Sequence, residues 1–436
     1  VTGLPKSSEF TGKRWIVLCS SYGGWDNYLF QANVYHAYHM FINHGIPAEN
    51  IIIMHTDDLA NNKLNPTPNI VINKINGPDV YHGVPKHYIK NDVTPKNFLG
   101  LLKGDPELKA AGKRVVESGP DDHIFVYFTD HGGQGFVRFE TELLYATDLV
   151  NVLQKMHQDK RYAKMLFYLE ACEAGSMFDK VLPNNIDVYA VASSKPDQLS
   201  WQCCYDYHRK AMVGGHFSNY WYMDSEIKDF NTETIETQFK YLASHKHIQG
   251  LIVANGTLEE AQHYGNLSIG QMLLADFFGP KQVSNATIVH RSHNKCEYVS
   301  MNDVAIKLAK INVKTATSVS EKIRYTHELK QVLWGRQYAD KHLRQYLQSI
   351  EGLTGLGANV ILNTKLEVNN RDCYHKFVQA FNDKCFNLAQ SDLEETFTAY
   401  GLNNGLHSQR LYVHYMQLWT KLLGEWFNIV LDIQIK

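Results

Sequence analysis

The sequence predicts an α/β fold: a mostly parallel sheet flanked by helices, with an all-α region appended at the C-terminal end. Three observations carry this. Short runs that are apolar on both faces recur through the first two-thirds of the chain. Helical patterns lie between them, and the last quarter loses the strand signal. Strand, helix and strand in repetition mark a layered α/β domain.

The predicted strands are Trp15–Cys19, Ile51–Met54, His123–Thr129, Met165–Leu169 and Ile186–Ala192. Each is rich in β-branched and aromatic residues and lacks the polar alternation of a half-exposed strand, so each belongs inside a parallel sheet. Between the first two, Val34, Tyr38, Phe41 and Ile42 recur at helical spacing, and the helix stops at Gly45 with Pro47 beyond. From about Asn285 to Ser320 the chain is polar, has no strong period and reads as a linker. The clearest later helix carries one continuous apolar stripe from Leu411 to Val430 with Lys421 and Glu425 facing the other way, which marks a packed helix and not a membrane anchor. The expected divisions are an α/β domain at 1–288, a linker at 289–325 and a helical domain at 326–436.

Composition narrows the function. The 436 residues carry a net charge of −2, which gives no reason to expect a nucleic-acid partner. No apolar run approaches the roughly 20 residues of a membrane span. Seven cysteines, an odd and sparse set, do not make a disulfide scaffold, and the adjacent Cys203 and Cys204 are not expected to bond to each other. Sequons at Asn255, Asn266 and Asn285 lean toward a secretory route and glycosylation. His36 and His39 stand at metal-ligand spacing, but without HExxH or a Cys-x-x-Cys pair neither a metal nor another cofactor is expected.

Reactive groups in open parallel sheets gather at the carboxyl ends of the strands. The run IFVYFTDHGGQG, 124–135, ends in Asp130, His131 and two glycines, and MLFYLEAC ends in Cys172. Glu170 and Glu173 should discourage a thiolate between them. A neighbouring imidazole would overcome this as a base or as a cation. Gly132 and Gly133 would let backbone amides approach and stabilise an oxyanion. Taken singly, the cysteine reads as small buried packing and the histidine as a turn residue. Together, at the ends of two apolar strands, they favour nucleophilic catalysis.

FTDHGG at 128–133 and YLEACEAGSM at 168–177 resemble the paired motifs of the legumains, asparaginyl endopeptidases among the caspase-like cysteine peptidases. The stretches at 65–85 and 92–105 also fit, and DCYHKFVQAFNDKCF, 372–386, resembles part of the legumain pro-domain. The resemblance implies a caspase-like sheet, with Cys172 as nucleophile, His131 as general base and Asn27 orienting the histidine. It places Asp130 where legumains carry an aspartate prone to succinimide formation and linked to ligase activity. It assigns Glu170 to the pocket for the residue before the scissile bond (P1), and makes Cys203 a free buried thiol. It further implies a zymogen in a lysosomal or vacuolar setting, capped by its own pro-domain until low pH releases it. Peptide substrates and cystatin-like inhibitors are the other partners it implies.

The departures bear on specificity. Leu29 and Phe30 stand where legumains carry an Arg-His pair, and Gly215 replaces a pocket aspartate. Ser200 is kept, but its serine neighbour has become Leu199. A carboxamide in such a pocket would go unpaired, so weak cleavage after asparagine and a preference for an apolar or aromatic residue are expected. Glu170, without a cation, should titrate high. Asn312 lies near the family's linker cleavage point, so its self-processing is doubtful. Of four pro-domain cysteines only Cys373 and Cys385 remain, paired or free. Two rival readings stand beside a hydrolase: a ligase or transpeptidase using the same thioester, and a non-catalytic binder of peptides or inhibitors.

Overall fold

The computed structural model describes residues 10–246, 259–280 and 298–354, and part of 357–384. In chain order the strands are β1 Arg14–Cys19, β2 Ile51–Met54, β3 His123–Thr129, β4 Gly132–Gly133, β5 Phe136–Arg138, β6 Leu143–Tyr145, β7 Lys164–Glu170, β8 Val188–Ala192, β9 Trp201–Asp206, β10 Ala211–Gly215, β11 Gln262–Gly265 and β12 Tyr298–Ser300. The main sheet has the order β11-β8-β7-β3-β1-β2. Its pairings are parallel except at the β11 edge. The five predicted strands are the five parallel ones. Only the fifth starts later than expected, because Asp187 has φ 56°, outside the extended region, and salt-bridges to Lys164 at 2.7 Å.

Alternation sorts the sheet residues onto two faces. Ile16, Leu18, Phe125, Tyr127 and Tyr168 pack beneath α1 (Tyr28–Asn43), with Trp221 of a later helix. Val17, Val126, Phe128 and Phe167 face the other way, onto α2 (Pro95–Lys103). The sequence sets the bounds of α2. Thr94 caps it by accepting from Asn97 N–H, Pro95 takes the first turn where no donor is needed, and Gly104 closes it at φ 72°. After α3 (Pro106–Ala110), helix α4 (Ala146–Gln158) joins α2 on that face. Helix α5 (His216–Ile227) carries Trp221, whose ring centroid lies 4.6 Å from Tyr127 and 5.5 Å from Tyr168. Helices α6 (Ile235–Ser244) and α7 (Ala275–Phe278) complete this layer.

Two small antiparallel sheets decorate the edge where the parallel strands end: β4-β5-β6 and β10-β9-β12. The chain divides into two compact units, Val1–Met301 and Asn302–Lys436. The described elements of the second are helices: α8 (Val304–Thr315), α9 (Val319–Thr354) and Arg371–Lys384. Arg336 on α9 ties back to Asp303 at 3.0 Å and to the Asn302 carbonyl at 2.6 Å. The segment read as an aperiodic linker therefore contains β12 and α8. Their signal was hidden because lysines interleave with the apolar residues of α8, and because β12 finds its partner strand far away in sequence. No helix among the described residues is long and apolar enough to cross a membrane. The stripe Leu411–Val430, Asn255, Asn285 and Cys385 lie outside the described residues.

Candidate active site

Strands β3 and β7 are direct neighbours, with Thr129 opposite Glu170, so the residues just beyond them share one rim. At β7 the chain turns through Glu173, held at φ 56° with its N–H bonded to Gln198 O at 2.7 Å. A non-glycine residue in that region is uncommon, and here it fixes the corner that carries Cys172. The carbonyl of Ala171, one residue earlier, accepts from the hydroxyls of Ser193, Ser194 and Ser200 at 3.2, 3.1 and 2.8 Å. Ser200 thus braces the backbone before the cysteine with its side chain. Cys172 is buried and outside any disulfide.

After β3, His131 is 4% exposed. Its Nε2 lies 2.8 Å from Asn27 Oδ1, and Asn27 Nδ2 donates to Gly23 O at 2.7 Å. The second bond orients the amide, so Oδ1 accepts and Nε2 carries the proton, leaving Nδ1 as the basic nitrogen. Tyr22 and Phe30 meet the imidazole edge-on at centroid distances of 5.7 and 5.0 Å. Burial, and then the Arg138 charge, hold this imidazole well below its usual pKa. Both effects favour the neutral ring.

Gly132 explains itself by close approach: a Cβ there would lie 2.5 Å from Cys172 O. The ladder bond flanking the Gly132–Val137 pair runs from Arg138 N–H to His131 O, so this pairing does not use the Gly132 N–H.

Glu170 is fully buried and collects donors. Tyr127 OH lies at 2.7 Å, Thr129 Oγ1 at 3.1 Å, Asn33 Nδ2 at 3.3 Å, and Ser218 N and Oγ at 3.1 and 3.2 Å. Burial raises its pKa, as expected for a carboxyl without a cation, and the hydrogen bonds offset part of the shift. Gly215 abuts this carboxyl. A Cβ there would sit 2.1 Å from Glu170 Oε1, so any side chain requires Glu170 to move. Leu29, Phe30 and Cys172 form one apolar cluster with Met301, and Leu199 packs against it.

Sequence reasoning missed two residues here. Glu259 is 3% exposed, accepts from Trp201 N at 2.8 Å and is pushed well up by burial and by Glu170. Met301 lay in the segment read as linker. Neither sits in a motif that marks it. Asn312 falls within α8, in helical backbone that must unwind before a protease can bind it extended. Asn266 is half-buried, its Oδ1 accepting from Ser268 Oγ at 2.6 Å. His36 bonds Asn73 and Glu226, and His39 bonds Val80 O. Among the described residues no group of three or more His, Cys, Asp or Glu could hold a metal ion. Cys203 and Cys204 have sulfurs 3.1 Å apart, too far for a bond, and Cys204 is in a disulfide.

Asp130 is buried behind the histidine and accepts from Ser21 N and Tyr22 N at 2.7 and 2.6 Å, and from His131 N at 2.7 Å. Burial pushes it up to about 7. Glu233 rises to about 8 through burial and the Asp224 charge. A raised carboxyl contributes stability that is fully present below its unfolded pKa near 4 and lost as pH climbs through 7 to 8. His55, His87 and His123 are lowered by burial to about 4, so their contribution is present above about 6.5 and lost as pH falls toward 4. Thermal melts from pH 4 to 8 should therefore peak in the mildly acidic range. Asp130→Asn should flatten the neutral limb; an unchanged limb excludes Asp130 as its source.

A thiol and a neutral imidazole carried on one rim of a parallel sheet define a class of hydrolases that needs no metal ligand set: the cysteine peptidases. Residues 14–282 match the model of the Peptidase C13 family, and the chain belongs to that family, as a cysteine endopeptidase. It is 38% identical to a legumain of Rattus norvegicus over 87% of this chain and 85% of that one, and 36% identical to that of Homo sapiens over the same shares. A vacuolar-processing enzyme of Vicia sativa is 33% identical, over 88% of this chain and 81% of that one. Among solved structures, a caspase-1 of Spodoptera frugiperda aligns at TM-score 0.37 and 12% identity, over 64% of this chain and 94% of that one.

Proposed function

We propose that the chain hydrolyses peptide bonds through a thioester on Cys172, with His131 as general base, Asn27 as the residue that orients it, and a P1 pocket that favours apolar side chains over asparagine. The supporting observation is the His131–Asn27 bond of 2.8 Å, which leaves Nδ1 as the proton acceptor. In this reading the Cys172 thiol gives its proton to Nδ1 as sulfur attacks the P1 carbonyl carbon. The C–N bond then breaks, and the leaving amine takes that proton back. Water, deprotonated by the same nitrogen, cleaves the thioester. The Gly132 N–H serves the developing oxyanion.

The apolar preference rests on Leu29 and Phe30, fully buried beside Cys172. Glu170 spends its oxygens on Tyr127, Thr129, Asn33 and Ser218. An asparagine amide entering this pocket leaves donors or acceptors unpaired, at about 1–3 kcal/mol each. A P1-varied peptide library assayed from pH 4 to 7 should show asparagine about 10–100-fold below methionine or leucine in kcat/KM. Selective cleavage after asparagine overturns this reading. A lysosomal or vacuolar site of action, a capping role for residues 326–436, glycosylation at the three sequons and cystatin-like inhibitors belong to the same proposal. So does processing by another protease instead of self-cleavage at Asn312, given that residue's place within α8. The same proposal allows ligation through Asp130, whose carboxyl accepts at 2.7 Å from the His131 N–H that would close a succinimide.

A further inference from the structure

A short extended segment of the chain runs beside the candidate site. Strand β12 runs antiparallel to β9, with Tyr298 opposite Cys203, Val299 opposite Gln202 and Ser300 opposite Trp201. The next residue continues the pairing: Met301 N–H donates to Ser200 O at 2.9 Å. An extended peptide adding to an exposed strand is how sheet edges bind substrates, with backbone bonds giving affinity and pockets reading alternate side chains. Here the side chain at the end of the segment is a thioether. Met301 is fully buried and packs with Leu29, Phe30 and Cys172. Three residues back, Tyr298 meets His216 edge-on with ring centroids 5.6 Å apart. Val299 and Ser300 between them are buried as well.

We propose that Tyr298-Val299-Ser300-Met301 occupies the substrate cleft as an internal template, with Met301 in the P1 pocket, and that the substrates are extended peptides with a linear apolar P1 residue, methionine first, and an aromatic residue three positions earlier. The proposal rests on the assignment of Cys172 as nucleophile and adds to it the identity of the side chain that the pocket accepts. The residues that make the pocket unsuited to a carboxamide, Leu29, Phe30 and Leu199, are those that pack around a flexible thioether. Methionine fills such irregular apolar space well. The bond after Met301 also meets the boundary between the two compact units, so cutting there severs the template from Asn302 and the helices beyond it.

The test uses the full chain, its Met301→Ala and Met301→Leu variants, and Cys172→Ala as control. Thermal melts confirm that each is folded. Alkylation of Cys172 by iodoacetamide, a reagent blind to P1, is followed by mass spectrometry. Met301→Ala should be alkylated at least tenfold faster than the parent, and Met301→Leu, which still fills the pocket, near the parental rate. Chloromethyl ketones of acetyl-Tyr-Val-Ser-Met and acetyl-Tyr-Val-Ser-Asn then compete for the Met301→Ala chain, where the methionine reagent should react at least tenfold faster. Equal alkylation of parent and Met301→Ala, or an asparagine reagent equal to or faster than the methionine one, overturns the proposal. Turnover that persists in Cys172→Ala instead sinks the nucleophile assignment, so the two failures are distinguishable.

Discussion

Cys172→Ala yields a folded protein whose kcat/KM for peptide hydrolysis is lower by about 10⁴-fold or more, because covalent catalysis has no substitute once the sulfur is gone. Structural damage should be slight. Cys172 sits at the end of the apolar cluster with Leu29 and Phe30, and alanine keeps the backbone that Ser193, Ser194 and Ser200 brace. Melting temperature and turnover, measured side by side after acid treatment, separate the two effects. His131→Ala should cost about 10²–10⁴-fold, the usual share of a general base. A Cys172→Ala rate within tenfold of the parent assigns the chemistry to some other group.

Trp221→Ala is the largest loss expected in stability, about 3–5 kcal/mol from vacating a fully buried indole. The ring stands where α5 meets the sheet, within aromatic distance of Phe41, Phe125, Tyr127, Tyr168 and Phe278. Tyr127 in turn donates to Glu170, the residue assigned to the P1 pocket in the proposed function. The cavity therefore lies one residue behind the site, and P1 selectivity should loosen along with the fall in denaturation midpoint. A midpoint shift equivalent to less than about 1 kcal/mol would show that the neighbouring rings close over the gap. Trp221→Phe, which keeps an aromatic ring, should retain most of the stability.

Much of this was legible in the letters because the parallel strands are buried on both faces. Trp15–Cys19, Ile51–Met54 and His123–Thr129 have no polar alternation to confuse, and their bounds in the fold differ by a residue at most. The adjacency of the strands that end before His131 and Cys172 was legible because connections in a parallel sheet are tightly constrained, so two such strands are natural neighbours. Leu29 and Phe30 announce burial by their chemistry alone, and both are fully buried. The illegible parts depend on partners far apart in sequence. β12 is three residues long and acquires strand character only by pairing with β9. Glu259 carries no pattern; its burial comes with a bond to the Trp201 backbone. At Gly215 the letters recorded a missing carboxylate, whereas the fold records a missing volume already claimed by Glu170.

The tether behind β12 changes how inhibition scales. A segment held on β9 by its own polypeptide rebinds at an effective concentration on the order of millimolar, independent of how dilute the protein is. A free peptide with the same intrinsic affinity must reach that level to compete, and a cut after Met301 alone leaves the segment joined to the chain on its N-terminal side, where dilution does not remove it. Under that proposal, release requires a competitor at such a concentration or a second cut on the other side of the segment.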